Sequence, residues 1–187
     1  MQVVGVVGSP RHGMNTGLLV QRVLEGAKGQ GVKTELFYLC DYRISPCKAC
    51  RKCKQTGECV QNDDMKLLDL SIRKAKVLVL GTPIFLNHVS GQTKIFLDRL
   101  YPYLGPKLER RFPKGVKAVL VFTWGFPNRK LYDNVITWFQ DTISTFFGIK
   151  TVEIIKSGNT RNLPVSETED LLQNAFGIGM GLKDYFK

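Results

Sequence analysis

Four of the five cysteines fall within a short stretch, as Cys47-x2-Cys50-x2-Cys53-x5-Cys59. Three thiolates at three-residue intervals can wrap one inorganic cluster, with the fourth arriving from a short loop past Gly57. A similar Cys-x2-Cys-x2-Cys run serves [4Fe–4S] ligation in bacterial ferredoxins. Zinc sites more often pair two Cys-x2-Cys knuckles across a longer spacer, so the string fits zinc less well. A set of free or reversibly oxidised surface thiols is the third reading. Lys48, Arg51, Lys52 and Lys54 would offset the negative charge of a four-thiolate cluster and raise its potential, or else are solvated loop residues. Cys40 lies outside the spacing and reads as a spare thiol.

A second constellation is Gly8-Ser9-Pro10-Arg11-His12-Gly13-Met14-Asn15-Thr16, between an apolar run and a helical pattern. A helix N-terminus presents unpaired N–H groups and partial positive charge, which attract phosphate. Ser9, Asn15 and Thr16 offer short polar side chains, Arg11 a charged fork, and Gly13 a backbone turn that points amides inward. Met14 belongs to the same loop. The plainer alternative is a tight turn in which Asn15 or Thr16 merely caps the helix.

A third segment, Thr82-Pro83-Ile84-Phe85-Leu86-Asn87, follows a buried strand, where Pro83 stiffens the chain and Ile84, Phe85 and Leu86 offer a surface to a flat ring. Ordinary loop packing is the competing reading. Thr123-Trp124-Gly125 ends another strand, with Trp124 either a ring contact or a core-capping aromatic. His12 and His88 read as polar surface.

The elements that must position these groups alternate. Gln2–Val7, Lys33–Leu39, Val77–Gly81, Val116–Thr123 and Thr151–Lys156 read as strands, the apolar ones as buried and parallel. Helical spacing covers Thr16–Lys28 and the stretch from an Asp63 or Asp64 cap to Lys74, with Leu67, Leu68 and Ile72 inward. It covers the stretch that Ser90 precedes, to roughly Leu100, with Ile95, Phe96 and Leu100 on one face, and Leu131–Phe147, closed by Gly148. A last helix opens with Ser166 as N-cap and Glu169 as its capping-box acid. The α/β alternation predicts a three-layer α/β/α fold with a five-stranded parallel sheet in the flavodoxin-like order 2-1-3-4-5. A Rossmann domain would want Gly-x-Gly-x-x-Gly after the first strand, where this chain has Gly8-Ser-Pro-Arg. Residues 1–187 read as one domain, with a cysteine-rich loop at 40–62 and a C-terminal helical segment at 165–187. Because loops after successive parallel strands leave from one sheet edge, the cysteine loop is expected on the phosphate-loop side.

The 187 residues carry a formal charge of +11. The basic residues are spread out and lack interleaved base-stacking aromatics, so nucleic-acid binding is not expected. No apolar run approaches the roughly 20 residues that span a bilayer, and no signal peptide is visible. A cytoplasmic protein is expected.

Gly8-Ser9-Pro10-Arg11 with Asn15-Thr16, Gly81-Thr82-Pro83-Ile84-Phe85 and Lys94-Ile95-Phe96-Leu97-Asp98-Arg99 resemble the NAD(P)H-dependent FMN reductase family of flavodoxin-like proteins. The resemblance implies FMN, its phosphate on Ser9, Arg11, Asn15 and Thr16 with Met14 beside them. It implies a flavin ring along Pro83, Ile84, Phe85, Leu86 and Asn87, with Trp124 and Gly125 as a third contact. Asp98 and Arg99 read as structural. Ile44-Ser45-Pro46-Cys47 through Cys59-Val60-Gln61-Asn62-Asp63-Asp64-Met65 resembles the iron-sulfur flavoprotein branch, which implies a [4Fe–4S] cluster on Cys47, Cys50, Cys53 and Cys59. The expected function is FMN-dependent electron transfer between flavin and cluster. The expected donor is NAD(P)H or a donor protein, the acceptor a small molecule or protein, and the assembly a homodimer or homotetramer. No general acid or base is nominated. Two alternatives stand: an NAD(P)H-dependent FMN, quinone or nitro-compound reductase without a cluster, and a zinc-stabilised basic binding module.

Overall fold

The computed structural model describes residues 2–128 and 130–186; Met1, Arg129 and Lys187, which the domain span includes, lie outside the described residues. Strand β1 (Gln2–Val7) is buried at every position. So is nearly all of β3 (Ala75–Phe85) and β5 (Lys117–Thr123), as parallel strands covered on both faces must be. The sheet runs β2 (Lys33–Tyr38)-β1-β3-β5-β6 (Lys150–Ser157), all parallel, which is the order expected. A two-residue strand, β4 (His88–Val89), folds back antiparallel onto the end of β3. A single hairpin pair has no periodicity to mark it, so the sheet has six strands where the sequence predicts five.

Two helical layers enclose the sheet. α1 (Asn15–Gly29) and α6 (Glu169–Gly181) pack on the face carrying Val3, Val7, Val79 and Val121. Past the one-turn helix α2 (Cys53–Thr56), α3 (Met65–Ile72), α4 (Gly91–Arg99) and α5 (Asp133–Phe147) pack on the face carrying Val4, Val6, Leu78, Leu120 and Phe122. The first pair approaches closely because Gly26 and Gly179 meet the opposite backbones: a Cβ on either would run into the carbonyl of Phe176 or Val23. Ser90, which the sequence places just before the helix, caps α4, its Oγ accepting the Thr93 N–H at 3.2 Å, a contact of about 1 kcal/mol. Gly148, in the left-handed region, ends α5 as expected.

Three local expectations fail. The strand expected at Val77–Gly81 runs on to Phe85, so Thr82–Phe85 are strand and not loop, with Thr82 and Pro83 paired to Phe122 and Thr123. Leu67 points to solvent, and α3 buries Met65, Leu68 and Ile72 instead, an i, i+3, i+7 stripe. Ser166 does not cap the last helix. Val165–Glu167 form a 3-10 turn and α6 begins at Glu169, with no side-chain cap. The cause is tertiary: the Val165 N–H is held by Asn15 Oδ1 at 2.9 Å, which fixes the turn in place of a capping box.

Candidate functional site

The loop between β1 and α1 is built around one short turn. Ser9 is buried, and its Oγ accepts the Arg11 N–H at 3.2 Å. Gly13, at φ +62°, then reverses the chain into α1. The helix starts without a side-chain cap and without an acidic residue in its first turn. Both residues that could have capped it are engaged elsewhere. Asn15 Oδ1 takes the Val165 N–H, and Thr16 Oγ1 shares a hydrogen bond of 2.7 Å with Thr123 Oγ1. The first-turn amides, with the positive end of the helix dipole behind them, therefore face the site without a side-chain partner from the cap. The simple capping turn is excluded, and Asn15 and Thr16 instead brace the loop against the ends of β5 and the approach to α6.

A hydroxyl network fastens the neighbouring segment to this loop. Ser90 Oγ donates to Gly8 O at 2.6 Å, while the Ser90 N–H and Thr93 Oγ1 donate to Thr82 Oγ1 at 3.2 and 3.0 Å. Beyond Thr82, Pro83 and Ile84 are buried and the chain turns at Leu86 and Asn87, at φ +46° and +64°. Two positive φ values are what a two-residue hairpin with the right twist requires. Asparagine tolerates this conformation, whereas leucine pays about 1 kcal/mol or more. Leu86 is nonetheless 100% exposed, so no packing within the chain offsets that strain.

These segments border a cavity of about 810 Å³ at the carboxyl edge of the sheet, within the size range of cofactor pockets. Ser9, Arg11, Met14, Asn15 and Thr16 line it from the first loop, Pro83, Ile84, Phe85, Leu86 and Asn87 from the hairpin, and Trp124 and Gly125 from the end of β5. All twelve residues singled out from the sequence thus surround one space. Trp124 has the place of a core-capping aromatic, buried, donating from Nε1 to Asn128 O at 3.1 Å and packed edge-on against Tyr132, and it also borders the cavity. Sequence reasoning missed Phe126, Tyr132, Thr160, Arg161 and Pro164. Arg161, which lies over the Phe126 ring, comes four residues after the end of β6. The rule that ligands sit beyond the carboxyl ends of parallel strands would have found it. Among the described residues, the lining holds two arginines and one tyrosine but no carboxylate, imidazole or thiol.

The cysteine segment lies elsewhere. It leaves the carboxyl edge at Cys40 and Asp41, beside His12 of the first loop. It is then drawn along α4 by buried polar anchors. Arg99 donates to Ser45 O at 2.7 Å and pairs with Asp63, and Lys54 Nζ donates to Leu104 O at 2.8 Å above the Tyr101 ring. Cys47, Cys50, Cys53 and Cys59 line one small cavity with Asp98, Arg99, Tyr101 and Pro102, at the C-terminal end of α4. None of the four borders the large cavity. The expectation that this loop stands on the phosphate-loop side is therefore corrected. Nine residues of helix, about 13 Å, separate Ser90 at that edge from Arg99 beside the thiols.

Two donors reach the sulfurs. The Ala49 N–H lies 3.4 Å from Cys47 Sγ, and Arg99 Nη2 lies 3.6 Å from Cys59 Sγ. Burial pushes the Cys53 thiol pKa up, against the pull of nearby Lys54. Cys47 and Cys50 are exposed, and Ala49 and Arg51 both adopt positive φ in the loop between them and Cys53. A tetrahedral zinc would hold its sulfurs about 3.8 Å apart. Among the described residues, no three of these sulfurs come within 4.8 Å of one another. The quartet is spaced more widely than a single ion requires. Lys48, Arg51 and Lys52 are solvent-exposed as in the plainer reading, whereas Lys54 is buried and spent on carbonyls. Arg99, read as structural, is indeed buried, but its contact with a thiol was not anticipated.

No described helix is long and apolar enough to cross a membrane. A family model described as NADPH-dependent FMN reductase matches residues 1–125. An iron-sulfur flavoprotein of Methanocaldococcus jannaschii is 37% identical over 102 residues, 54% of this chain and 53% of that protein. One from Archaeoglobus fulgidus is 33% identical over 103 residues, 55% of this chain and 47% of that protein. The chain thus spans about half the length of these curated relatives. Among solved structures, an NAD(P)H:quinone oxidoreductase from Methanothermobacter marburgensis superposes with a TM-score of 0.73 at 18% identity, covering 98% of this chain and 97% of that one. That likeness carries the fold alone.

Proposed function

The chain belongs to the NADPH-dependent FMN reductase family, and from that premise we propose an FMN-dependent oxidoreductase that exchanges electrons between FMN in the large cavity and a [4Fe–4S] cluster on Cys47, Cys50, Cys53 and Cys59. The observation that carries the flavin half is the uncapped, acid-free N-terminus of α1 opening onto a cavity of about 810 Å³. When bound, a flavin supplies two-electron chemistry that can be divided into single-electron steps, and a cluster carries one electron at a time.

The chain's own residues bind and orient. The first-turn amides, Ser9 and the Arg11 fork match a phosphate dianion in donor type and charge. Pro83, Ile84, Phe85 and Leu86 with Trp124 and Gly125 give a largely apolar wall for a flat ring, and Asn87 adds a polar group at its end. Phe126 and Tyr132 add two further aromatic rings to the lining. Among the described residues the titratable side chains of the lining are Arg11, Arg161 and Tyr132, so the protein contributes shape and positive charge.

At the cysteines, four thiols facing one space and two N–H donors to sulfur fit a cluster. The space as it stands is about 20 Å³, so loading requires the exposed stretch from Cys47 to Lys52 to move outward. That narrowness favours the second reading, an FMN-dependent reductase of quinones, flavins or nitro compounds with the thiols unoccupied. The donor in the first reading is NAD(P)H or a protein, and the acceptor a small molecule or protein. A cluster at the far end of α4 from its own flavin cavity suits exchange with a second chain, as in a homodimer or homotetramer. Exposed thiols also suit a reducing, cytoplasmic setting. The absorption spectrum of the anaerobically purified full chain, with iron and sulfide assays, tests the proposal. Flavin bands over a broad iron–sulfur absorption support it, flavin alone supports the second reading, and a colourless zinc protein sinks both.

A further inference from the structure

Two residues set aside on the sequence, the surface-type His12 and the spare thiol Cys40, meet in the fold. His12 Nε2 lies 2.8 Å from Asp41 Oδ1 and 3.5 Å from Cys40 Sγ, and Cys40 Sγ lies 3.6 Å from Asp41 Oδ1. Among the described residues, this trio is the one group of histidine, cysteine and acidic side chains whose ligand atoms converge within 4.8 Å. The loops that carry it are adjacent at the carboxyl edge, because β2 pairs with β1. The His12 ring is steadied by Tyr38, whose ring centroid lies 4.2 Å away. Asp41 and Cys40 share a 3-10 turn, so neither can drift far from the other.

Both contacts of the ring fall on the same nitrogen. A thiol–imidazole–carboxylate relay needs the thiol on one ring nitrogen and the carboxylate on the other, so this arrangement does not activate a nucleophile. It does match a coordination triangle. A tetrahedral ion with ordinary zinc bond lengths holds N and S about 3.6 Å apart, S and O about 3.6 Å, and N and O about 3.4 Å. Two edges of the triangle already have these lengths, and the third is shortened by the direct His12–Asp41 hydrogen bond that an ion would replace.

We propose that His12 Nε2, Cys40 Sγ and Asp41 Oδ1 form a three-ligand site for a zinc-class divalent ion, separate from the cysteine quartet and from the large cavity. On binding, the ion loses water ligands, the Cys40 thiol gives its proton to solvent, and Nε2 coordinates through its lone pair with the ring proton on Nδ1. All three side chains are exposed, so the fourth position stays open to water. Occupancy fixes His12, and with it the Arg11–Gly13 turn of the first loop.

The chain has two histidines, His12 and His88. That makes long-range ¹H–¹⁵N spectra of the full chain, labelled at histidine and titrated with zinc chloride, a direct readout. One equivalent of zinc should shift the His12 Nε2 resonance and fix the Nδ1–H tautomer. Zinc taken by the quartet leaves that resonance in place. Cys40→Ser and Asp41→Asn, both at exposed positions, should each weaken this response about tenfold or more, while an unchanged His88 spectrum reports that the fold is intact. A His12 Nε2 signal that excess zinc does not move overturns the site, as does a wild-type response in both variants.

Discussion

Arg99 and Asp63 meet fork to fork: Nη1 lies 2.6 Å from Oδ2, Nη2 lies 2.9 Å from Oδ1, and the arginine side chain is 1% exposed. The same guanidinium reaches Ser45 O and Cys59 Sγ. One buried side chain of α4 therefore holds both ends of the cysteine segment.

Removing either partner strands a charge. Asp63→Asn should cost about 3 kcal/mol, the low end for a broken buried pair, because Asp63 keeps some contact with water. Burial raises the Asp63 carboxyl pKa, but the Arg99 hydrogen bond and its charge outweigh this and hold it below the ordinary 3.8. A depressed folded pKa stabilises fully above the unfolded value and is lost as pH falls through the folded one. Urea unfolding should thus show wild-type stability declining below about pH 4, with that acid-side slope reduced in Asp63→Asn. Equal slopes in the two proteins would dissociate the pair from acid stability.

Arg11 and Asn15 should separate binding from stability. Arg11 is exposed, so Arg11→Gln should leave the thermal midpoint nearly unchanged. It should weaken FMN by about 10- to 100-fold, the worth of a charge-assisted hydrogen bond. Asn15→Ala leaves the buried Val165 N–H without its acceptor and should cost about 1–3 kcal/mol in stability as well. Fluorescence titration with FMN and thermal melts of the flavin-free proteins distinguish the two patterns.

Leu86 carries strain that nothing in the chain repays. Leu86→Asn should raise the thermal midpoint of flavin-free protein by about 2–4 °C, the equivalent of about 1 kcal/mol at this size. FMN should bind more weakly, through loss of an apolar contact. A variant that is both no more stable and unchanged in FMN affinity would detach Leu86 from the site.

What could be read in advance followed from locality. The loops after β1 and β3 advertise themselves through Ser9, Gly13, Pro83 and Asn87, because turn chemistry and donor type are written in adjacent residues. Buried apolar strands such as Gln2–Val7 pointed to a parallel sheet, and the number and size of the strand–helix units to its order. Arg161 lies in the turn after Ser157-Gly158-Asn159 and Tyr132 at the start of α5, far in sequence from the first loop, and only the sheet geometry brings them to the cavity. The position of the cysteines was misjudged for a related reason. Their loop does leave from the expected edge, but Arg99 and Lys54 draw it along α4 through contacts 36 to 54 residues apart in sequence. Ser166 has the residue types of a cap, yet the Asn15–Val165 hydrogen bond across 150 residues decides the turn.

The proposed pairing of a flavin site with a separate cluster site is most directly tested by substituting an exposed cysteine and measuring both cofactors together. Wild-type protein and Cys50→Ala, purified anaerobically, should both carry FMN by absorption. Iron, sulfide and the broad iron–sulfur absorption should be present in the first and lost in the second. Loss of flavin along with iron would contradict the separation of the two sites, and a wild-type protein with flavin but no iron or sulfide would contradict the cluster itself.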